Sequence, residues 1–194
     1  MEDTSKWITD ENEEGSYDYH LLAYHCLDVA AVGWHLLDPV KPLCQRLAKQ
    51  LEVEAQWLQS WFCFCLALHD LGKYSRTFQN LVPDMSDLLV NSQLNMAYSQ
   101  RHDSLGFLVW QSHLVENWIA HTELTIKVRY LQPWLEVVTG HHGTPPLNNL
   151  PLNDYFNNED KIAAKEFVNA IEQLFLIETD LSVLTSKPLS NYNK

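Results

Sequence analysis

The chain has 194 residues, 46% of them hydrophobic and 20% charged, with a formal net charge of −12 at pH 7. That length suits one domain with a sizeable core. The charge excludes a free-standing nucleic-acid binder built on a basic face, since phosphate contacts supply most non-specific affinity. Action on a nucleic acid would need a local site, bound cations or a partner that delivers the strand. No apolar run is long enough to span a bilayer, and the acidic, polar stretch 1–15 is unlike a secretory signal. The expectation is a cytoplasmic protein with no membrane partner. Cys26, Cys44, Cys63 and Cys65 show no CxxC spacing and read as small buried hydrophobes in a reducing compartment.

In chain order, residues 1–18 read as a flexible acidic segment with Trp7 as an anchor, 19–185 as the domain, and 186–194 as a polar tail. From Tyr19 to Leu37 the spacing is helical, with Leu21, Leu22, His25, Val29, Val32 and Leu36 on one broad face. Pro39 and Pro42 end that helix, and a short helix follows over Leu43–Leu51. The stretch from Glu54 to Leu71 is apolar on nearly all sides, which places it in the core. It carries His69 and Asp70 to its last turn, with Gly72 beyond as a left-handed cap. Residues 75–81 read as one or two more turns, and 82–101 as an irregular excursion. Helices follow over 103–121, over 123–139 with a kink or break at Pro133, and over 159–176 with Ile162, Phe167, Ile171, Leu174 and Phe175 facing in. Strand-like alternation is not sustained anywhere. The fold class is all-α, an irregular helical bundle.

Histidines fall where chemistry can use them. His25 lies on an apolar helical face, His69 and Asp70 end the buried helix, His102 precedes a helix, and His141 and His142 sit between Gly140 and Gly143. Each alone reads as a satisfied core or turn residue, and His35, His113 and His121 are read that way. Together, five histidines and a buried aspartate point to a metal site, because a buried charge must be paired or metal-bound. The donor set suits Mn, Fe, Co or Ni. Adjacent helical residues point about 100° apart, so His141 and His142 serve two ions more easily than one, with Asp70 as the bridging carboxylate. Two such ions form a clamp for phosphodiester hydrolysis. Lys73 either pairs with Asp70, meets a substrate phosphate or caps the helix. As an uncompensated buried charge, Asp70 would be replaceable by alanine without loss of apo stability.

Four segments in this order carry a resemblance: His20 to Val32 with its Tyr-His-Cys-Leu-Asp-Val-Ala run, Ala67 to Lys73 with Phe78 and Gln79, Arg101 with His102, and Val137 to Gly143. They resemble the HD nuclease domain of the signature CRISPR type I nuclease-helicase, most nearly the type I-E branch, across most of residues 19–176. The resemblance implies a helical HD-superfamily fold and metal-dependent nicking and degradation of single-stranded DNA in antiviral defence. It implies a strand presented by a surveillance complex (Cascade), up to two divalent ions (Mg also admissible), and a helicase that would be a separate subunit. It places His25, His69 and Asp70 on the first metal and His102, His141 and His142 on the second, with Asp70 shared and Asp70 and Lys73 catalytic. Two departures stand out. The family pattern closes with another aspartate on a later helix, and this chain is expected to stop before it: Asp180 is the nearest candidate, but its Glu-Thr-Asp-Leu-Ser surroundings resemble the loop upstream of that helix, so the first metal is expected to lack a ligand. The residue after Arg101 and His102 is usually glycine, whereas here it is Asp103, expected to cap the next helix or crowd the second metal.

Two other functions compete with a nuclease. One is a catalytically impaired decoy that binds the surveillance complex and blocks or regulates recruitment of the true nuclease. The other is an HD-superfamily nucleotide phosphohydrolase, which would use His25, His69 and Asp70 but leave His141 and His142 without a role.

Overall fold

The computed structural model describes residues 6–11, 17–82, 91–93, 95–122, 126–147 and 149–186, and the fold is stated for these. The organising element is α3 (Ala55–Ala67), which buries Trp57, Leu58, Gln59, Ser60, Trp61, Cys63, Phe64, Cys65 and Ala67. Trp61 is fully buried and lies within ring-contact distance of Trp57, Phe64, Trp118 and Trp134. Large rigid rings with no solvated face make this helix the centre of the core.

Around it stand α1 (Leu22–Leu36), α2 (Pro42–Leu51, opened by Pro42 at its first position), α5 (His102–Val109), α6 (Val115–His121), α7 (Val128–Thr139) and α8 (Asn158–Phe175). The short α4 (Arg76–Gln79) and α9 (Val183–Ser186) fill the joints. A π-helical turn, Trp110–Leu114, joins α5 to α6. α7 passes through Pro133 without ending. The architecture is all-α, and no described helix is long and apolar enough to cross a membrane.

Three sequence expectations change. Lys6–Glu11 (β1) and Tyr17–Leu21 (β2) form an antiparallel hairpin, with the Trp7 backbone opposite His20, where a flexible segment was expected. α1 buries Leu22, Cys26, Ala30 and Gly33, while Val32 and Leu36 are exposed. Small residues win that face because α1 lies close on α3: a Cβ at Gly33 would stand 2.3 Å from Leu66 Cδ1. On α8, Phe167 and Ile171 are buried, but Ile162 and Leu174 are exposed. Residues 83–90, 123–125 and 187–194, which carry parts of the expected excursion, of the 123–139 helix and of the tail, lie outside the described residues.

Two devices lock the chain beyond α3. Asp160 and Asn157 form a reciprocal capping box at the start of α8. The same Asp160 accepts from the Arg76 backbone N–H and pairs with its guanidinium at 2.8 Å. Both side chains are buried, so each charge satisfies the other. α8 is thereby fastened to the segment that follows the His69–Asp70 turn.

Candidate metal centre

α3 stops at Ala67, and His69 and Asp70 lie in the turn beyond it, before a 3₁₀ turn over Leu71–Tyr74. The expected helix is thus shorter by about one turn. Gly72 is not a left-handed cap; among described glycines only Gly143 has a positive φ, at 78°. Gly72 is required by close approach instead, since a Cβ there would stand 1.8 Å from the His102 carbonyl oxygen and 2.4 Å from Gly106 N. The bare backbone lets α5 press against the Asp70 turn, and so brings His102 to it.

Asp70 is 2% exposed. Its Oδ2 lies 3.0 Å from His25 Nε2, 3.1 Å from His69 Nε2 and 2.7 Å from Lys73 Nζ. Its Oδ1 faces the other way, 3.2 Å from His102 Nε2 and 3.8 Å from His141 Nε2, and has no partner in hydrogen-bond geometry. His142 Nε2 is 3.0 Å from His102 Nε2. The ligand atoms of His25, His69 and Asp70 lie within 4.8 Å of one another, and so do those of His102, His141 and His142. The structure therefore brings all seven sequence-selected residues together: His25, His69, Asp70, Lys73, His102, His141 and His142.

The ring orientations suit a metal ion. His69 Nδ1 is 2.8 Å from the Leu66 carbonyl, and His141 Nδ1 is 3.1 Å from the Val138 carbonyl. A carbonyl only accepts, so each Nδ1 carries a proton, which leaves Nε2 as the atom that turns inward and can ligate, as in metal-binding histidines. An Nε2 lone pair facing a carboxylate, and two Nε2 atoms facing each other, need a cation or a proton between them. Burial pushes His25 down to about 4, against the raising effect of Asp70. Burial also lowers His141. Both shifts favour the neutral imidazole, the form that ligates a metal. For Asp70, burial acts upward but is outweighed by contacts from His102, His69 and Lys73, which hold the carboxyl below its usual range. The donor chemistry, the unsatisfied Oδ1 and the inward lone pairs all fit divalent ions.

The second-site side chains are seated by residues that sequence spacing does not reveal. The Tyr98 hydroxyl accepts from the His102 backbone N–H at 3.0 Å, and Phe78 packs edge-on against both Tyr98 and His102. Tyr98 lies in the stretch read as irregular, where no periodicity marks it. Asp103 does not cap α5, whose N-terminus has no side-chain cap, and it is in neither ligand group. It is fully buried and paired with Arg101. Asp180 is far from the centre. Its carbonyl accepts from Trp57 Nε1 and its carboxylate from Ser182 N. Trp57 lies in the first turn of α3 while Asp70 lies past its other end, with about 15 Å of helix from Trp57 to Ala67 at 1.5 Å per residue.

The family model for the Cas3 HD domain matches residues 7–191. The chain belongs to the Cas3 HD-domain family. The match begins inside β1, so it takes in the hairpin as well as the helices. The CRISPR-associated endonuclease/helicase Cas3 of Escherichia coli (strain K12) is 28% identical over 215 residues, covering 93% of this chain and 22% of that protein. A crystal structure of T. fusca Cas3 with ATP aligns with TM-score 0.65 and 19% identity, over 91% of this chain and 20% of that one. A structure described as a CRISPR RNA-guided surveillance complex, pre-nicking, aligns with TM-score 0.66 and 18% identity, over 96% and 22%. The fold is that of these Cas3 HD domains, and this chain spans only 20–22% of the length of these relatives.

The environment of His25 sets a pH dependence of the metal-free protein. Between pH 6.5, the ordinary histidine value, and about 4, the unfolded chain takes up a proton at His25 that the folded chain refuses. Stability is therefore full above pH 6.5 and falls as the pH drops toward 4. Asp70, held low in the fold, extends the loss further into acid. In EDTA, the urea midpoint is expected to be lower at pH 5 than at pH 7.5. An equal or higher midpoint at pH 5 would contradict this assignment.

Proposed function

We propose that this chain is a two-metal phosphodiesterase that nicks and degrades single-stranded DNA in type I CRISPR interference. The carrying observation is the division of Asp70: one oxygen faces His25 and His69, the other faces His102 and His141. A carboxylate set between two histidine groups is the arrangement that lets one anion serve two cations. Mn, Fe, Co or Ni suits the imidazole-rich set, with Mg admissible through the carboxylate. Bound ions supply a nucleophile at neutral pH and stabilise charge on both oxygens of an in-line displacement.

The chain's own residues do the rest. The Leu66 and Val138 carbonyls fix the tautomers of His69 and His141 and hold their rings in place. Asp70 sets the spacing of the two groups. Lys73, buried against Oδ2, supplies the positive charge that a substrate phosphate meets. The −12 charge makes free DNA a poor ligand, which supports delivery of the strand by a surveillance complex of the Cascade kind. Unwinding would come from a helicase subunit or domain.

The test is cleavage of circular single-stranded DNA. Cleavage is expected with added Mn, Co or Ni, abolished by EDTA, with weak binding to free DNA that is lost as salt rises. Cleavage indifferent to chelator would sink the metal reading. The decoy reading draws support from the acidic surface and from a first group with a single carboxylate. No cleavage with any metal, together with tight binding to the surveillance complex, would make it the better account.

A further inference from the structure

Five residues at the start of α5 and in the loop after α7 form a contact set that the metal groups do not include. Asp103 is fully buried, and its Oδ1 accepts from Ser104 N at 2.6 Å and from Arg101 Nε at 3.2 Å. Its Oδ2 is 2.6 Å from an Arg101 terminal nitrogen. A buried carboxylate is costly unless paired, and here the Arg101 guanidinium pairs it, with a hydrogen bond to Oδ1 and a close ion-pair contact to Oδ2 that is not in hydrogen-bond geometry. Arg101 itself is about half exposed. Its other terminal nitrogen donates to Thr144 Oγ1 at 2.7 Å. Ser104 Oγ accepts from Leu147 N at 2.9 Å. The loop that carries His141 and His142 is thus fastened at Thr144 and Leu147 to the first turn of α5, the turn that carries His102. Between the histidines and the first fastening, Gly143 takes the left-handed turn and donates to the Gly140 carbonyl.

We propose that Arg101, anchored by Asp103, is a positioning residue that holds the His141–His142 loop in register with His102. This rests on the two-metal reading and adds to it: the second group is preorganised by a tether built on Asp103 and Arg101. Without the tether, His142 would have to be drawn onto His102 by the ion itself, and the ordering cost would be subtracted from its affinity. The first group, on α1 and the α3 turn, does not depend on the tether. Arg101 also holds Asp103 by a hydrogen bond to Oδ1 and an ion-pair contact at Oδ2, and that carboxylate is in neither ligand group.

The test uses the full chain and Mn alone, read by titration calorimetry and by metal content after dialysis. His25→Ala and His142→Ala identify the two sites. Arg101→Ala/Asp103→Asn removes the tether without stranding a buried charge, and Thr144→Val removes its 2.7 Å Oγ1 contact at the loop end, leaving the 3.5 Å contact of Arg101 with the Thr144 carbonyl. Both variants are expected to weaken the site lost in His142→Ala by about tenfold, while the site lost in His25→Ala stays within about twofold. Arg101→Lys, which keeps the charge but not the fork, should fall between. In the metal-free protein, amide exchange at Gly143 and Leu147 should rise in the double variant while α3 amides stay protected. If the double variant fails to fold, Thr144→Val carries the same comparison. Wild type binding two ions with both variants unchanged, or with both sites weakened equally, overturns the tether. Wild type taking up no Mn overturns the metal reading itself and is distinct from either result.

Discussion

Asp70→Ala is expected to lose metal-dependent cleavage by on the order of 10³-fold or more, the scale seen when one member of a concerted catalytic set is removed. The reason is that both histidine groups converge on this one carboxylate. The same change is expected to destabilise the metal-free fold. Read as a lone buried charge, Asp70 would be removable at no cost, but the structure shows the charge compensated. Lys73 Nζ is 2.7 Å from Oδ2 and its side chain is buried. Removing one partner of a buried pair leaves the other uncompensated, at a cost of about 3 kcal/mol. Asp70→Ala/Lys73→Met removes both charges and should recover part of that loss while remaining inactive. Urea unfolding in EDTA and cleavage of single-stranded DNA check the two halves. Wild-type cleavage by Asp70→Ala would assign the activity to another site, and an unchanged urea midpoint would mean the pair contributes nothing to the fold.

Gly72→Ala is expected to have the largest effect of any single methyl addition near the centre. The new Cβ would meet the His102 carbonyl oxygen at 1.8 Å and Gly106 N at 2.4 Å, and both are backbone atoms that no rotamer change can move. α5 has to retreat as a unit, costing about 3 kcal/mol or more, at the upper end for overpacking. The retreat carries His102 away from Asp70 Oδ1 and opens the second group. Gly106→Ala gives the contrast: its nearest neighbour would be Gly72 N at 3.0 Å, so a small shift suffices. Gly72→Ala should therefore lower the urea midpoint far more than Gly106→Ala and reduce Mn stoichiometry. Equal midpoints for the two variants would show that the α5 approach is not what holds His102.

The residues that converge on Asp70 were legible in the sequence. His69 and Asp70 sit at the end of an apolar run too hydrophobic for a surface helix, and histidines between two glycines announce a turn, because residue type and helical spacing are local properties. The helices, their order and the central place of the Trp61 segment follow from the same periodicity. Other features depended on which surfaces meet. Val32 and Leu36 have the hydrophobicity of a core face, yet Ala30 and Gly33 are buried because α1 needs small residues to lie against Leu66. Gly72 reads as a helix stop, but its lack of a side chain answers to α5, some thirty residues later. Asp103 reads as a cap, but its partner is the Arg101 fork that also reaches Thr144. Asp180 is the nearest candidate for the missing ligand but sits in loop-like sequence, and its carbonyl is bonded to Trp57 near the start of α3, away from Asp70 beyond the other end. Whether a buried charge is paired is settled by residues far apart in the chain, so the stability of the Asp70 site was decided only by the tertiary structure.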